Sequence, residues 1–263
     1  MTSHSLPSPI LDDTDAWRTL SASNLALQFE HTPRAMGRRW ARWDGLWAAD
    51  ATLAAAYPNS ATMLRPLAES EAADVVARLD QFYAEDVGGP WMLWSAWPTP
   101  DLTPYGMHSA GATPLMVRLP APTSIATELR ISEVSDDAGL RAFDDVVIHG
   151  YPIPELTFPD DRITDARALG GQAHFFVGYE NETPVSCAMS YVGEREVGIY
   201  AVATLPDRRG KGYGRALTIA ALAATPQLPA VLQASGYGRP VYLRLGFQIV
   251  GEYTVWFKPR RNA

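Results

Sequence analysis

Four cations, Arg208, Arg209, Lys211 and Arg215, surround three glycines, Gly210, Gly212 and Gly214, inside the stretch Val202–Leu217, VATLPDRRGKGYGRAL. Glycine leaves the backbone amides around it sterically open. Amides at the start of a helix have no intrahelical partner and carry the positive end of the helix dipole. Together these features suit a phosphate or pyrophosphate. Spacing narrows the choice. A Walker loop requires Ser or Thr after its Lys, and Gly212 follows Lys211. The dinucleotide fingerprint requires a third glycine where Arg215 stands. A purely structural alternative is a tight strand-to-helix turn that uses glycine for its backbone freedom.

The elements around the loop must hold it in place. An apolar, β-rich run from Val197 to Ala203 stops at Pro206, and an alanine- and leucine-rich run extends to Ala224: strand, loop, helix. Upstream, Glu128–Val134 reads as a strand and Ser135-Asp136-Asp137 as the cap of a helix running to about His149. Tyr151–Gly171 reads as irregular, and His174–Tyr179 with Val185–Val192 as a hairpin across Asn181–Pro184. Downstream come a strand at Ala230–Ala234, a short helix at Arg239–Leu245 and a last strand or strand pair at Gln248–Phe257. The order β-α-β-β-β-α-β-α-β predicts an α/β (α+β) fold around one mixed sheet.

The first part of the chain is less explicit. Residues 1–12 read as a Ser- and Pro-rich frayed tail. A helix can begin at Asp13, Asp15 or Ser21, with Trp17, Leu20, Leu25 and Leu27 as apolar positions. Arg38–Ala51 reads as a hairpin about Asp44-Gly45, a strong turn signal, although Trp40, Trp43 and Trp47 also stand at helical spacing. Strands are expected at Ala61–Leu67, Trp91–Trp94 and Pro114–Leu119, and an amphipathic helix at Glu69–Tyr83, stopped by Gly88-Gly89-Pro90. Pro120 and Pro122 mark a linker, which gives two units, 1–122 and 123–263.

A net charge of -7 over 263 residues argues against nonspecific nucleic-acid binding. The single cysteine, Cys187, precludes an intrachain disulfide or a cysteine-based metal site; it lies in an apolar run and is expected in the core. No metal is expected. The start of the chain lacks a signal-peptide pattern and no apolar run is long enough to span a membrane, so a cytoplasmic protein is expected.

Arg209-Gly-Lys-Gly212-Tyr-Gly214 resembles the Arg/Gln-x-x-Gly-x-Gly/Ala signature of the GNAT acyl-CoA transferases, and the resemblance covers about Thr127–Lys258. Its second part is Val231-Leu-Gln-Ala-Ser235 followed by Val241-Tyr-Leu-Arg-Leu-Gly-Phe247, with Tyr242 where the family commonly carries a Tyr facing the acyl thioester. Ser235 stands where many members have Asn. The resemblance implies acetyl-CoA as acyl donor, with Arg208–Arg215, including Tyr213, around the pyrophosphate. It implies that Ala201, Val202 and Ala203 pair with the pantetheine arm, an amide near Val202 faces the thioester oxygen, and Tyr242 gives a proton to the departing thiolate. Glu155, Asp160, Asp161, Asp165, Glu196, His149 and His174 are the candidate bases, with a water relay as the alternative. The reaction implied is direct N-acetylation of an amine, favoured here as that of a small molecule. A protein N-terminus or lysine, or a non-catalytic acyl-CoA module, are the other readings, and a homodimer is left open.

Laying Pro90–Arg118 on Ala230–Lys258, an offset of 140 residues, matches Ser95 with Ser235, Pro100 with Pro240, Gly106-Met107 with Gly246-Phe247 and Gly111 with Gly251. At the same offset Leu102 faces Tyr242 and Glu69–Asp74 faces the glycine loop. A tandem chain with a degenerate GNAT-like first half, unable to bind CoA, is the expectation; an unrelated packing domain is the alternative. Seven of the eight Trp lie before residue 100. They are expected to pack the core, with an aromatic wall toward the substrate cleft as the second reading.

Overall fold

The computed structural model describes residues 13–84, 89–151 and 153–259. The tail expected at 1–12 and Gly88 of the expected helix stop lie outside the described residues. Helix α1, Thr14–Ala35, starts where Asp13 accepts a hydrogen bond from Ala16 N (2.9 Å), a short polar side chain satisfying a free amide. The hairpin reading of Arg38–Ala51 holds. β1, Trp40–Trp43, and β2, Leu46–Ala49, pair across Asp44-Gly45, with Gly45 at φ +69°. β3 covers only Ser60–Met63, shorter than expected, because Arg65-Pro66 turns the chain into a 3-10 turn at Glu69–Glu71 and then α2, Ala72–Ala84. β4 is Trp91–Ser95.

β5, His108–Arg118, runs longer than its apolar end at Leu115–Val117 suggested, because its first half is held by strand pairing and not by burial. β6 is Arg130–Glu133, and α3 covers Asp137–Gly150, capped by Asp136, which accepts from Gly139 N at 2.8 Å. β7 (Ala173–Glu180), β8 (Thr183–Val192) and β9 (Val197–Thr204) form a meander. α4 (Tyr213–Ala223), β10 (Ala230–Gln233), α5 (Arg239–Arg244) and β11 (Gln248–Lys258) close the chain. Among the described residues, no helix is long and apolar enough to cross a membrane.

The eleven strands among the described residues join one mixed sheet in the order β1-β2-β3-β4-β11-β5-β10-β9-β8-β7-β6. The sheet does not break at residue 122. β11, from the end of the chain, lies between β4 and β5, while β5 lies between β11 and β10. Thr113 and Tyr253, which are 140 residues apart, are partners in the β5–β11 ladder.

Helix α1 lies across this sheet, and a polar network fixes it there. Asn24 Nδ2 donates to Glu196 Oε1 (2.8 Å) and Tyr191 O (3.3 Å), and Asn24 Oδ1 accepts from Tyr200 OH (2.8 Å). One turn earlier, Ser21 Oγ bonds Tyr253 OH at 2.8 Å and accepts from Gln233 Nε2 at 3.0 Å. Gly198 is obligatory beside it, since a Cβ there would lie 2.1 Å from Asn24 Oδ1. Burial raises the pKa of Glu196, with the Asn24 hydrogen bond opposing the shift. Asn24→Ala leaves the Glu196 carboxylate and the Tyr200 hydroxyl buried without this partner. It is expected to cost about 1–2 kcal/mol of stability by denaturant titration. A loss below about 0.3 kcal/mol would mean that apolar contacts alone seat the helix.

Candidate active site

The centre of the site is a fault in the sheet. β9 and β10 pair in parallel only at Val197/Ala230 and Gly198/Val231, and then the pairing ends. On the other side of β9, Tyr200 pairs with Met189 but Ala203 pairs with Cys187, so Ala201 and Val202 together oppose Ala188. This is a β-bulge, which bends its strand and re-aims its backbone. Ala201 has φ +49°, a left-handed conformation that costs a non-glycine residue about 1–3 kcal/mol. Contacts outside the ladder hold the bulge. Cys187 Sγ donates to Ala201 O (3.3 Å), Tyr151 OH to Val202 O (2.9 Å) and Ser186 Oγ to Ala203 O (2.7 Å). Cys187 is fully buried, and its thiol pKa is pushed up by that burial.

The glycine loop follows β9 directly. Gly210 (φ +83°) and Gly212 (φ +81°) take backbone conformations that L side chains rarely adopt, and a Cβ at either would meet nothing within 4 Å. Gly212 is the N-cap of α4, so the loop opens a helix N-terminus to solvent, as the sequence predicts. Three of the four cations are positioned by protein groups. Arg209 Nη2 donates to Gly150 O (2.7 Å) and its Nε to Thr204 O (3.3 Å), tying the end of α3 to the end of β9. Lys211 Nζ donates to Glu180 Oε1 at 2.8 Å, Arg208 Nε lies 3.2 Å from Glu180 Oε2, and Tyr213 OH donates to Glu180 Oε1 at 2.5 Å. The hydrogen bonds from Lys211 and Tyr213 hold the Glu180 pKa below its usual range. Arg215 makes none of these contacts. Glu180 escaped the sequence reading: it closes a hairpin strand some thirty positions earlier, and only the pairing of β7 with β8 swings it under the loop.

Beyond the fault lies a cavity of about 430 Å³, bordered by Ala201 and Val202 on one side and by Ser235 and Tyr242 on the other. Ser235 Oγ accepts from Gly238 N (3.1 Å) just ahead of α5. Tyr242 is buried, its ring edge-on to Phe247 at 5.7 Å, and burial raises its phenol pKa to about 12. The cavity therefore brings together Ala201, Val202, Ser235 and Tyr242. Ala203 is buried in the strand beyond it, and the glycine loop lies outside its lining.

The cavity's far wall is foreseen only in Trp94, through the second reading of the tryptophans. It comes from α1 (Gln28, Phe29, Thr32), from Tyr57 and from Trp94 of β4. Trp94 thus meets both expectations for the tryptophans, packed in the core and facing the cavity, whereas Trp40 is 40% exposed. Tyr151, Ile153, Ile163 and Thr164, from the segment after α3, line another side. Asp144, buried in α3, accepts from Arg162 Nε (2.6 Å) and Thr164 Oγ1 (2.9 Å) and so holds that segment down.

None of the candidate bases lines the cavity. Asp165 is bound by Arg167, which holds its pKa down to about 2, and Asp161 accepts from Thr157 N. His149 bonds Asp145, His174 bonds Glu133, and Glu196 belongs to the Asn24 network. Glu155 and Asp160 are not among the lining residues either. Among the described residues that line the cavity there is no Asp, Glu, His, Lys or Arg.

Residues 171–249 match the family model described as an acetyltransferase (GNAT) domain, a span that runs from β7 into β11 and contains both the glycine loop and Tyr242. No curated protein matches the chain. Among solved structures, the chain is similar to a GCN5-related N-acetyltransferase from Kribbella flavida, at TM-score 0.65 and 18% identity over 92% of this chain and 95% of that one. It is also similar to a putative acetyltransferase from the GNAT family from Novosphingobium aromaticivorans, at TM-score 0.58 and 15% identity over 90% and 96%. A GCN5-related N-acetyltransferase from Sphaerobacter thermophilus aligns at TM-score 0.52 and 14% identity, over 83% and 78%. At these identities the likeness is one of fold, and for the first two it spans nearly the whole of both chains.

Proposed function

We propose, from the premise that this chain carries an acetyltransferase domain of the GNAT family, that it transfers the acetyl group of acetyl-CoA directly to a primary amine of a small molecule. The observation that carries the reading is the join between the loop and the fault: the strand that leads into Arg208–Arg215 is the one whose bulge, Ala201–Val202, borders the cavity that Tyr242 also lines. The open amides of the loop and the N-terminus of α4 suit the CoA pyrophosphate. The unpaired edge of Ala201–Ala203 suits the pantetheine arm, and an amide at Val202 suits the developing oxyanion. The amine lone pair attacks the thioester carbon, the C–S bond breaks, and the sulfur takes a proton from Tyr242 while Tyr242 recovers the one that the nitrogen gives up. A cavity of ordinary ligand size, lined by α1 and by Tyr151, Ile153, Ile163 and Thr164, supports a small molecule over a protein chain as acceptor. A panel of amines with acetyl-CoA, followed by thiol release, tests the activity. No turnover with any amine, together with undiminished CoA binding, would favour a non-catalytic acyl-CoA module.

The division 1–122 and 123–263 is retained as a tandem reading. β4 pairs with β11 and β10 with β5, each half lending its last strand to the other, and Thr113 meets Tyr253 at the offset of 140 found in the sequence. In the first half the position of the glycine loop is taken by a 3-10 turn, Glu69–Glu71, whose Glu71 is held by Arg65 at 2.7 Å. A carboxylate turn without glycine repels a pyrophosphate, so calorimetry is expected to saturate at one acetyl-CoA per chain. A stoichiometry of two would end the reading of the first half as degenerate.

A further inference from the structure

We infer that the acceptor is a hydrophobic amine with a flat, aromatic body, bound as the uncharged free base; the inference rests on the acyltransferase reading of the same cavity. Four observations lead to it. First, no charged residue lines the cavity among the described residues, so an ammonium entering it would lose its water with no carboxylate in exchange. A buried cation without a partner is heavily penalised, and an amine answers by giving up its proton. Second, the wall opposite the bulge is a cluster of rings. Phe29 meets Tyr57 at 5.4 Å and Trp94 at 6.1 Å, and Tyr57 meets Trp94 at 5.9 Å, all three lining the cavity. Flat aromatic bodies pack well against such edges and faces.

Third, Gln28 lines the cavity with a buried Oε1 that has no hydrogen-bond partner, while its Nε2 reaches only Met189 Sδ at 3.9 Å. A buried amide oxygen left in that state is one a ligand N–H can satisfy. Fourth, the two partly exposed rings that line the cavity have different partners. Tyr151, 44% exposed, is bonded to Val202 O beside the thioester position, while Tyr57, 42% exposed, belongs to the ring wall. The donor is accordingly assigned to the Val202 bulge and the acceptor to the ring wall. Free-base binding also removes the need for a protein base. In R–NH2 plus thioester giving R–NH–acetyl plus thiol, the one proton that leaves nitrogen is the one that sulfur gains.

The test uses the full chain, acetyl-CoA, 2-phenylethylamine and spermidine. With 2-phenylethylamine, kcat is expected to stay level between pH 6 and 9 while KM falls about tenfold per pH unit, following the free-base fraction of an alkylamine whose ammonium titrates well above that range. Spermidine is expected to give a kcat/KM at least a hundredfold lower. Tyr57→Ala is expected to raise KM for 2-phenylethylamine about tenfold, with the KM for acetyl-CoA unchanged. Quenching of tryptophan fluorescence by 2-phenylethylamine, without acetyl-CoA, reports binding separately. Binding without turnover would leave this inference standing and sink the acyltransferase reading. The inference falls if spermidine matches or exceeds 2-phenylethylamine, if kcat itself rises with pH, or if the aromatic amine does not bind. It falls equally if octanoyl-CoA outperforms acetyl-CoA and Tyr57→Ala changes only the KM for the thioester, since the rings would then hold an acyl chain.

Discussion

Gly212→Asp is expected to weaken acetyl-CoA binding more than a hundredfold while the chain still folds. Gly212 caps α4 at φ +81°, and no atom lies within 4 Å of where its Cβ would stand, so the new side chain has room. The left-handed conformation costs a non-glycine residue roughly 1–2 kcal/mol, less for Asp and Asn, which is small against the stability of a domain. The carboxylate, however, points into the space that the open amides leave for an anion. Two unit charges about 5 Å apart at an effective dielectric near 20 repel by about 3 kcal/mol, enough for a factor above one hundred. Gly212→Asn has the same shape and backbone demand without the charge, and is expected to lose far less. Isothermal calorimetry of the three proteins, with a thermal melt of each, separates electrostatics from misfolding. Equal affinities for the wild type and the Asp variant would remove the loop from the binding site.

The loop was legible in the sequence because its chemistry is local: three glycines, four cations, a strand before and a helix after, all inside one turn of chain. Tyr242 was legible for the same reason, seven residues from Ser235 and five from Phe247. What the sequence did not expose depends on distant pairing. Glu180 belongs to the loop only because β7 pairs with β8, which in turn pairs with β9. Phe29, Tyr57 and Trp94 form one wall only because α1 is fixed by Ser21 and Asn24 across strands that come some 170 to 230 residues later. The linker at Pro120–Pro122 reads as a boundary, yet the sheet runs through it, since β5 and β11 exchange partners. Strand partners leave no mark on composition, so a repeat can be seen in the sequence without revealing which half completes which sheet. The candidate bases lie outside the cavity lining for a related reason. Asp161, Asp165 and His149 all had the right chemistry, and each is held by a neighbour within five residues, a competition that spacing alone does not rank.

Tyr242→Phe is expected to lower turnover ten- to a hundredfold, about 1.4–2.7 kcal/mol of transition-state stabilisation, with acetyl-CoA affinity and melting temperature close to wild type. The ring is buried against Phe247, and Phe preserves that contact, so only the hydroxyl is lost. Among the described residues that hydroxyl makes no hydrogen bond to protein, so its removal breaks none. Its raised pKa, about 12, keeps it protonated throughout the working range, and no limb of the pH profile between 6 and 9 should belong to it. The same value limits what it can do. A thiol titrates near 8.5, so complete transfer from this phenol to a free thiolate is uphill by about three units. The step is favourable only if the phenol recovers a proton from the amine nitrogen as it gives its own to sulfur. Tyr242 then acts as a relay, and the effect belongs at the lower end of the roughly 10²–10⁴-fold range of general acids, or just below it. Single-turnover rates at saturating acetyl-CoA and amine provide the measurement. A rate within twofold of wild type, with chemistry limiting, would mean that sulfur takes its proton from solvent.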